Sequence, residues 1–290
     1  MHREHRVIAD ITVRTVIAAV FWIGTAGPTH AQTSSPESQF QIQYLYPETP
    51  ALKPAEALVK EFRILERVRG TMSFVKLPGP LLLRFGECKA EEAWYDRDTR
   101  TVSFCYELVA HIQRIAPKRT QAGVEPQEVI VGSVVFSLLH EIGHAFIDML
   151  ELPVLGREED AADQMAAYIL LQLDKPLPRK LIGGAAWMWE HEARSNKPDR
   201  GDLADVHSLS AQRFFNLLCM AYGSDPDTFA FLTEKGYLPT ERAVSCGYEY
   251  KQLVFSLKKV FMGHVDQKLL EEMRLYRRTA PENAGSGGMR

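Results

Sequence analysis

No block of lysine and arginine runs through this chain: 34 basic residues are offset by 37 acidic ones, for a formal charge of −3. Such a balance, without a basic stripe, argues against nucleic acid as a partner. An uninterrupted apolar run of about 20 residues, the length of a membrane-spanning helix, is also missing. The run Val16 to Gly27 (VIAAVFWIGTAG) is too short to cross a bilayer. Cysteine is scarce, with four residues and no pair at CxxC spacing, which excludes the thiol motifs that spacing signals. No internal repeat is present, so solenoid and propeller architectures are set aside.

What is there begins with a leader. Arg3, Arg6 and Arg14 precede the short apolar run, and Thr29-His30-Ala31 offers small residues for cleavage. Residues 1–31 therefore read as a secretory signal peptide, and the body is expected to be exported, either periplasmic or secreted. If the leader is retained, it would be a membrane anchor, and no other membrane contact is expected. Cys88, Cys105, Cys219 and Cys246 all follow it. An even count in an exported chain predicts two disulfides. The local pairs Cys88–Cys105 and Cys219–Cys246 are favoured, each stabilising by roughly 3 kcal/mol if the entropic account holds. Four buried free thiols are the alternative.

Residues 32–50 are polar and carry prolines, as in a linker with at most one short extended piece. Residues 51–278 are expected to form one domain, and the Gly-rich residues 279–290 a disordered tail. A stripe of Leu58, Phe62, Leu65 and Val68 predicts a helix from Pro54 to Arg69, ended by Gly70. Leu81 to Phe85 reads as a strand. Trp94-Tyr95 and Thr101 to Cys105 flank a charged turn and read as a hairpin, with Thr101 and Ser103 on a solvated face. A helix from Tyr106 to Ile115 stops before Pro117. Pro126 suits a first helical position, and the helix from there to about Leu150 is apolar nearly all round, hence central and buried. Helices follow at about 157–173, 179–194, 227–235 and 242–260, and one more, capped by Ser208 or Ser210, reaches Tyr222. Asn196 to Asp205 reads as a polar loop. The class is α+β and helix-rich: a small N-terminal sheet, then a mostly helical second half.

The central helix carries His140-Glu141-Ile142-Gly143-His144. Residues four apart on a helix share a face, so two imidazoles there can grip one zinc ion. The glutamate between them lies close enough to act on a water that the ion activates. A pentapeptide can arise by chance, so its context decides. A satisfied pair of core histidines would not explain an interior carboxylate on an apolar helix.

A catalytic zinc takes three protein ligands and keeps one position open. The third is expected from the next helix, which opens with Glu158-Glu159-Asp160 and continues to Asp163. Its apolar stripe, Ala162, Ala166, Ile169 and Leu170, extends backward to Glu159 and Asp163, so those two carboxylates face the core. Glu159 is assigned as ligand and Asp163 as acceptor for a histidine N–H. Glu158 is a near alternative, and Asp160 points away. Read alone, three acids at a helix start would merely complement the helix dipole.

This constellation resembles the gluzincin metallopeptidases, in which HExxH is followed by a helix carrying ExxxD. The stretch EDAADQMAAY, Glu159 to Tyr168, looks like the EXXAD helix of membrane-associated and housekeeping members. The mature chain also resembles a bacterial metallopeptidase family of unknown substrate. That likeness is carried by Gly86-Glu87-Cys88, Trp94-Tyr95-Asp96, Cys105-Tyr106-Glu107, Asp205-Val206-His207, Gln212-Arg213 and Asn216. The resemblance implies a zincin fold, with an edge strand above the metal helix and an extended peptide or protein substrate docked beside it.

In such a site Glu141 would be the general base. A further donor to the developing oxyanion is expected, with His207 first and Tyr168 and Arg213 behind it. A non-catalytic zinc-binding envelope protein is one rival, although a structural site usually closes with four protein ligands. A zinc amidase acting on a cell-wall or other non-peptide substrate is another.

Overall fold

The computed structural model describes residues 39–120, 123–195 and 197–272. The expected leader and the tail at 279–290 lie outside these. The sheet is built from β1 (Phe40–Tyr44), β2 (Leu81–Gly86), β3 (Ala93–Asp96) and β4 (Thr101–Cys105) in the order β1-β2-β4-β3. β1 pairs parallel with β2 and β2 with β4, while β3 runs antiparallel to β4 and has no partner strand on its other edge among the described residues. The stretch 32–50 thus supplies β1, so its extended piece is a sheet member. Phe40, Leu81, Leu83, Phe85, Val102 and Phe104 are all fully buried.

β4 departs from the expected half-solvated strand, because every residue in it is buried. It is a central strand, and its polar face is covered too. Ser103 stands between Arg84 and Trp94 in the strand register, and Arg84 donates to the Ser103 hydroxyl at 2.8 Å. Two long side chains therefore shield positions that alternation alone would expose.

The first helical stretch also differs. It divides into α1 (Lys53–Glu61) and α2 (Ile64–Met72), with Arg63 between them in a left-handed conformation at φ 49°. Phe62, Ile64 and Leu65 are all buried. In one unbroken helix Phe62 and Ile64 would point to nearly opposite sides. The break turns both toward the core, and the chain stays helical through Gly70.

α3 (Tyr106–Ile115) leads to α4 (Pro126–Met149), which starts as predicted at Pro126 behind a Glu125/Glu128 capping box. By length and composition α4 could cross a membrane, but most of it is buried within the protein. It meets the sheet through an edge-on contact of Phe40 with Phe146. α5 (Glu158–Leu171) and α6 (Leu177–Ser195) follow. Within the expected polar loop lies a short helix, α7 (Arg200–Ala204), capped by Asp199. Then come α8 (Ser210–Ser224), α9 (Phe231–Glu234) and α10 (Thr240–Val260). Neither serine caps α8. Ser208 donates instead to Asp160 and Ser210 to Glu192, so both tie α8 to neighbouring helices. The class is therefore helix-rich α+β, with a four-stranded N-terminal sheet and a mostly helical second half. Both local disulfides are formed, Cys88–Cys105 and Cys219–Cys246.

Candidate metal centre

α4 and α5 run antiparallel: His140 meets Asp163, and His144 meets Glu158. Their approach depends on Gly143. A Cβ on that residue would lie 3.0 Å from the Ala162 Cα and 3.2 Å from its Cβ. The glycine of HEIGH thus sets the distance between the two helices, a role the motif alone did not disclose. Gly143→Val is expected to force α5 outward, at a packing cost of about 1–3 kcal/mol. Metal affinity should fall at least about tenfold, as it does when groups supporting ligands are disturbed. Gly143→Ala should show a smaller loss of the same sign. Calorimetric metal titration with a circular-dichroism check of helicity measures both, and unchanged affinity in a folded Val variant would refute the role.

Three atoms face one another across the helix pair. His140 Nε2 lies 3.2 Å from His144 Nε2 and 3.0 Å from Glu159 Oε2. His144 Nε2 lies 3.3 Å from the same oxygen. Ligand atoms at zinc bond lengths of about 2.0–2.1 Å in a tetrahedron stand about 3.3 Å apart. The donor set therefore fits a single ion in chemistry and spacing.

The outer nitrogens are held as well. His140 Nδ1 is 2.8 Å from Asp163 Oδ1, and His144 Nδ1 is 2.8 Å from Glu158 Oε1. Carboxylates there orient the rings and direct both Nε2 atoms inward. Asp163 takes two hydrogen bonds from Arg213, at 2.7 and 2.6 Å, and the guanidinium lies 3.6 Å from the Trp189 ring centre. Arg213 thus sits behind the site rather than in it. Glu158, a near alternative as ligand, instead partners His144 and receives Arg97 at 3.3 Å. Tyr168 lies away from the cleft, beside Tyr250 of α10, because nine helical residues separate it from Glu159 by about 13 Å.

His207 comes close to the centre. Its Nε2 is 3.0 Å from Glu159 Oε2, and Asp205 holds both its Nδ1, at 2.9 Å, and its backbone N–H. His140, Glu159 and His207 also form a group able to hold a metal ion. Asp205, two residues before His207, belongs to the family likeness, but no local sequence signal assigns it this role.

Burial opposes charge on His140 and His144, yet neighbouring carboxylates outweigh it. Asp163 and Glu159 raise His140 above its ordinary value, and Glu159 and Glu158 push His144 up to about 9. Burial likewise works against ionised Glu159, but contacts with the three imidazoles hold it well below the usual carboxylate range. Burial raises the Glu141 carboxyl, against the opposing pull of His140, His144 and the Tyr95 backbone amide. A metal must displace the imidazole protons. Because the metal-free histidines titrate high, uptake near neutral pH should release protons, apparent affinity should climb with pH, and release should fade above about 9. Titrations in buffers of different ionisation heat measure this, and no release at neutral pH would contradict it.

A cleft of about 760 Å³ opens over these groups, within the range of roughly 300–1,000 Å³ for ligand sites. Its floor is His140, Glu141, His144 and Glu159. One wall is Ala93, Trp94 and Tyr95 of β3 with Arg97 just after it, and the other is Ala204 to His207. Tyr95 fastens β3 to α4 by donating to Asp148 at 2.9 Å.

A family model described as "Putative metallopeptidase" matches residues 44–259. No curated protein and no solved structure matches.

Proposed function

Because the chain belongs to the Putative metallopeptidase family, we propose that it is a zinc-dependent peptidase whose ion is held by His140, His144 and Glu159. The observation that carries this reading is the triangle of two Nε2 atoms and one carboxylate oxygen, with sides of 3.0, 3.2 and 3.3 Å. Zinc, when bound, supplies a Lewis acid that lowers the pKa of a water to about 7 and polarises a carbonyl.

The chain's own residues do the rest. Glu141 takes the proton from the attacking water and delivers it to the leaving amine as the C–N bond breaks. Its carboxyl, raised by burial, is suited to accept and return that proton. His207 stands at the cleft wall with Asp205 behind it, placed to donate to the carbonyl oxygen as charge develops there. The open edge of β3 offers backbone groups to an extended peptide. Asp163 and Arg213 hold the His140 ring in place. Two disulfides support an exported protein, periplasmic or secreted. The body is one domain in which residues 51–278 are joined by β1, whose Phe40 is buried against them.

One observation favours a second reading. His207 Nε2 lies as near Glu159 as His140 Nε2 does, so it could complete a closed, non-catalytic four-ligand site. Elemental analysis of the purified protein, with digestion of a mixed peptide pool before and after chelation, tests the proposal. One zinc per chain and cleavage lost to chelator and restored by zinc are expected. His207→Ala then separates the readings: an open site keeps its metal and loses rate, whereas a closed site loses metal. Zinc with no cleavage of peptides, but turnover of a cell-wall amide, would make the enzyme an amidase.

A further inference from the structure

The outer face of α10 carries an unusual surface. Val244, Tyr248, Phe255 and Met262 are 84%, 68%, 59% and 62% exposed, in a fold that buries most of its large apolar side chains. Together with Lys251 and Lys258 they follow alternating steps of four and three residues: 244, 248, 251, 255, 258, 262. That spacing puts all six on one stripe, about 27 Å long at 1.5 Å per residue, with Met262 in the turn that follows the helix. Lys259 flanks the stripe, its ammonium 5.8 Å from the Phe255 ring centre. From Arg242 to Met262 the one acid is Glu249. It is turned aside, taken up by Arg242 at 2.6 and 2.7 Å and by Ser245.

The stripe is held rigidly outward. The opposite face of α10 buries Ala243, Cys246, Leu253 and Leu257. Cys246 is bonded to Cys219 of α8, and a Cβ on Gly223 would lie 2.2 Å from the Cys246 carbonyl oxygen, so the two helices touch backbone to backbone. α10 cannot roll to hide its aromatic side chains.

We propose that this face docks the protein on an anionic phospholipid surface. Aromatic and aliphatic side chains would enter the headgroup boundary, while the lysine stems lie along it and place their ammonium groups at the phosphates. Charge favours this occupant over a second copy of the chain: pairing two such stripes would bring Lys251 and Lys258 of both copies into one seam, whose one acid, Glu241, stands ten residues from Lys251 in the first turn of α10. The proposal is independent of the metal site and adds a contact that the leader alone would not supply.

The test is co-sedimentation of the full chain with vesicles of phosphatidylcholine alone and of phosphatidylcholine mixed with phosphatidylglycerol. Binding is expected to the anionic vesicles only, and to weaken with salt. Each lysine near such a surface contributes about fivefold, so Lys251→Glu/Lys258→Glu should cut partitioning at least about tenfold. Tyr248→Ser/Phe255→Ser should also cut it, with melting temperature and any peptidase activity on soluble substrate unchanged in both. Equal binding to neutral vesicles, or binding that survives both double variants, would overturn the proposal. So would binding that appears only after residues 273–290 are removed, which would assign the face to the chain's own C-terminal segment. A concentration-dependent dimer abolished by Phe255→Ser, without vesicle binding, would assign it to a second copy.

Discussion

On the proposed mechanism, Glu141→Gln is expected to bind zinc as the unaltered protein would, to keep its fold, and to cleave peptides between about 100-fold and about 10,000-fold more slowly, the span typical of a lost general base. The amide matches the carboxylate in size, so packing on α4 is preserved. Glu141 belongs to the cleft floor, between the two histidines in sequence, and is absent from the groups that converge on Glu159. Removing its charge therefore leaves the donor set intact and removes only the proton acceptor. The loss should appear in kcat rather than KM, because proton transfer belongs to the transition state. A variant that turns over at the original rate would show that another group takes the proton.

Glu159→Ala should abolish metal retention, while Asp160→Ala should leave it unchanged. Glu159 Oε2 is the point on which His140, His144 and His207 converge. On the proposed assignment, losing one of three protein ligands should weaken zinc by more than the roughly 10–100-fold that follows loss of an outer partner. It also leaves His144 and His207, both raised chiefly by that carboxylate, without their main anionic neighbour, while His140 keeps Asp163. Asp160, one residue on, is turned about 100° around the helix and accepts from Ser208 at 2.7 Å. Its loss removes a hydrogen bond worth about 1 kcal/mol of stability and touches no donor. Dialysis against a weak chelator followed by elemental analysis distinguishes the pair. Retention by Glu159→Ala together with loss by Asp160→Ala would transfer the ligand role to the neighbour.

Much of this arrangement was readable in one dimension. The i, i+4 spacing of His140 and His144, the apolar stripe that carries Glu159 and Asp163 inward, and the turn between the helices are all local properties, and helix periodicity converts them directly into directions in space. The hairpin before α4 and the two disulfides were likewise short-range features. Local pattern misleads where direction depends on partners remote in sequence. Alternation placed Thr101 and Ser103 in solvent, but Arg84 and Trp94 arrive from other strands to cover that face. The stripe from Leu58 to Val68 suggested one helix, but the core demanded side chains from both sides of it, and Arg63 took a left-handed turn to supply them.

For this protein the residues by themselves determined the candidate metal-ligand pattern, because such residue types at helical spacing carry their own geometry. They also determined that the second helix must turn two acids toward the first. Only tertiary structure decided which carboxylate serves which histidine, how closely Gly143 lets α5 approach, that Arg213 braces Asp163, and that His207 reaches the same oxygen from a distant loop. These are distances between segments that no local periodicity links. Packing of the whole core sets them, and packing depends on every element at once.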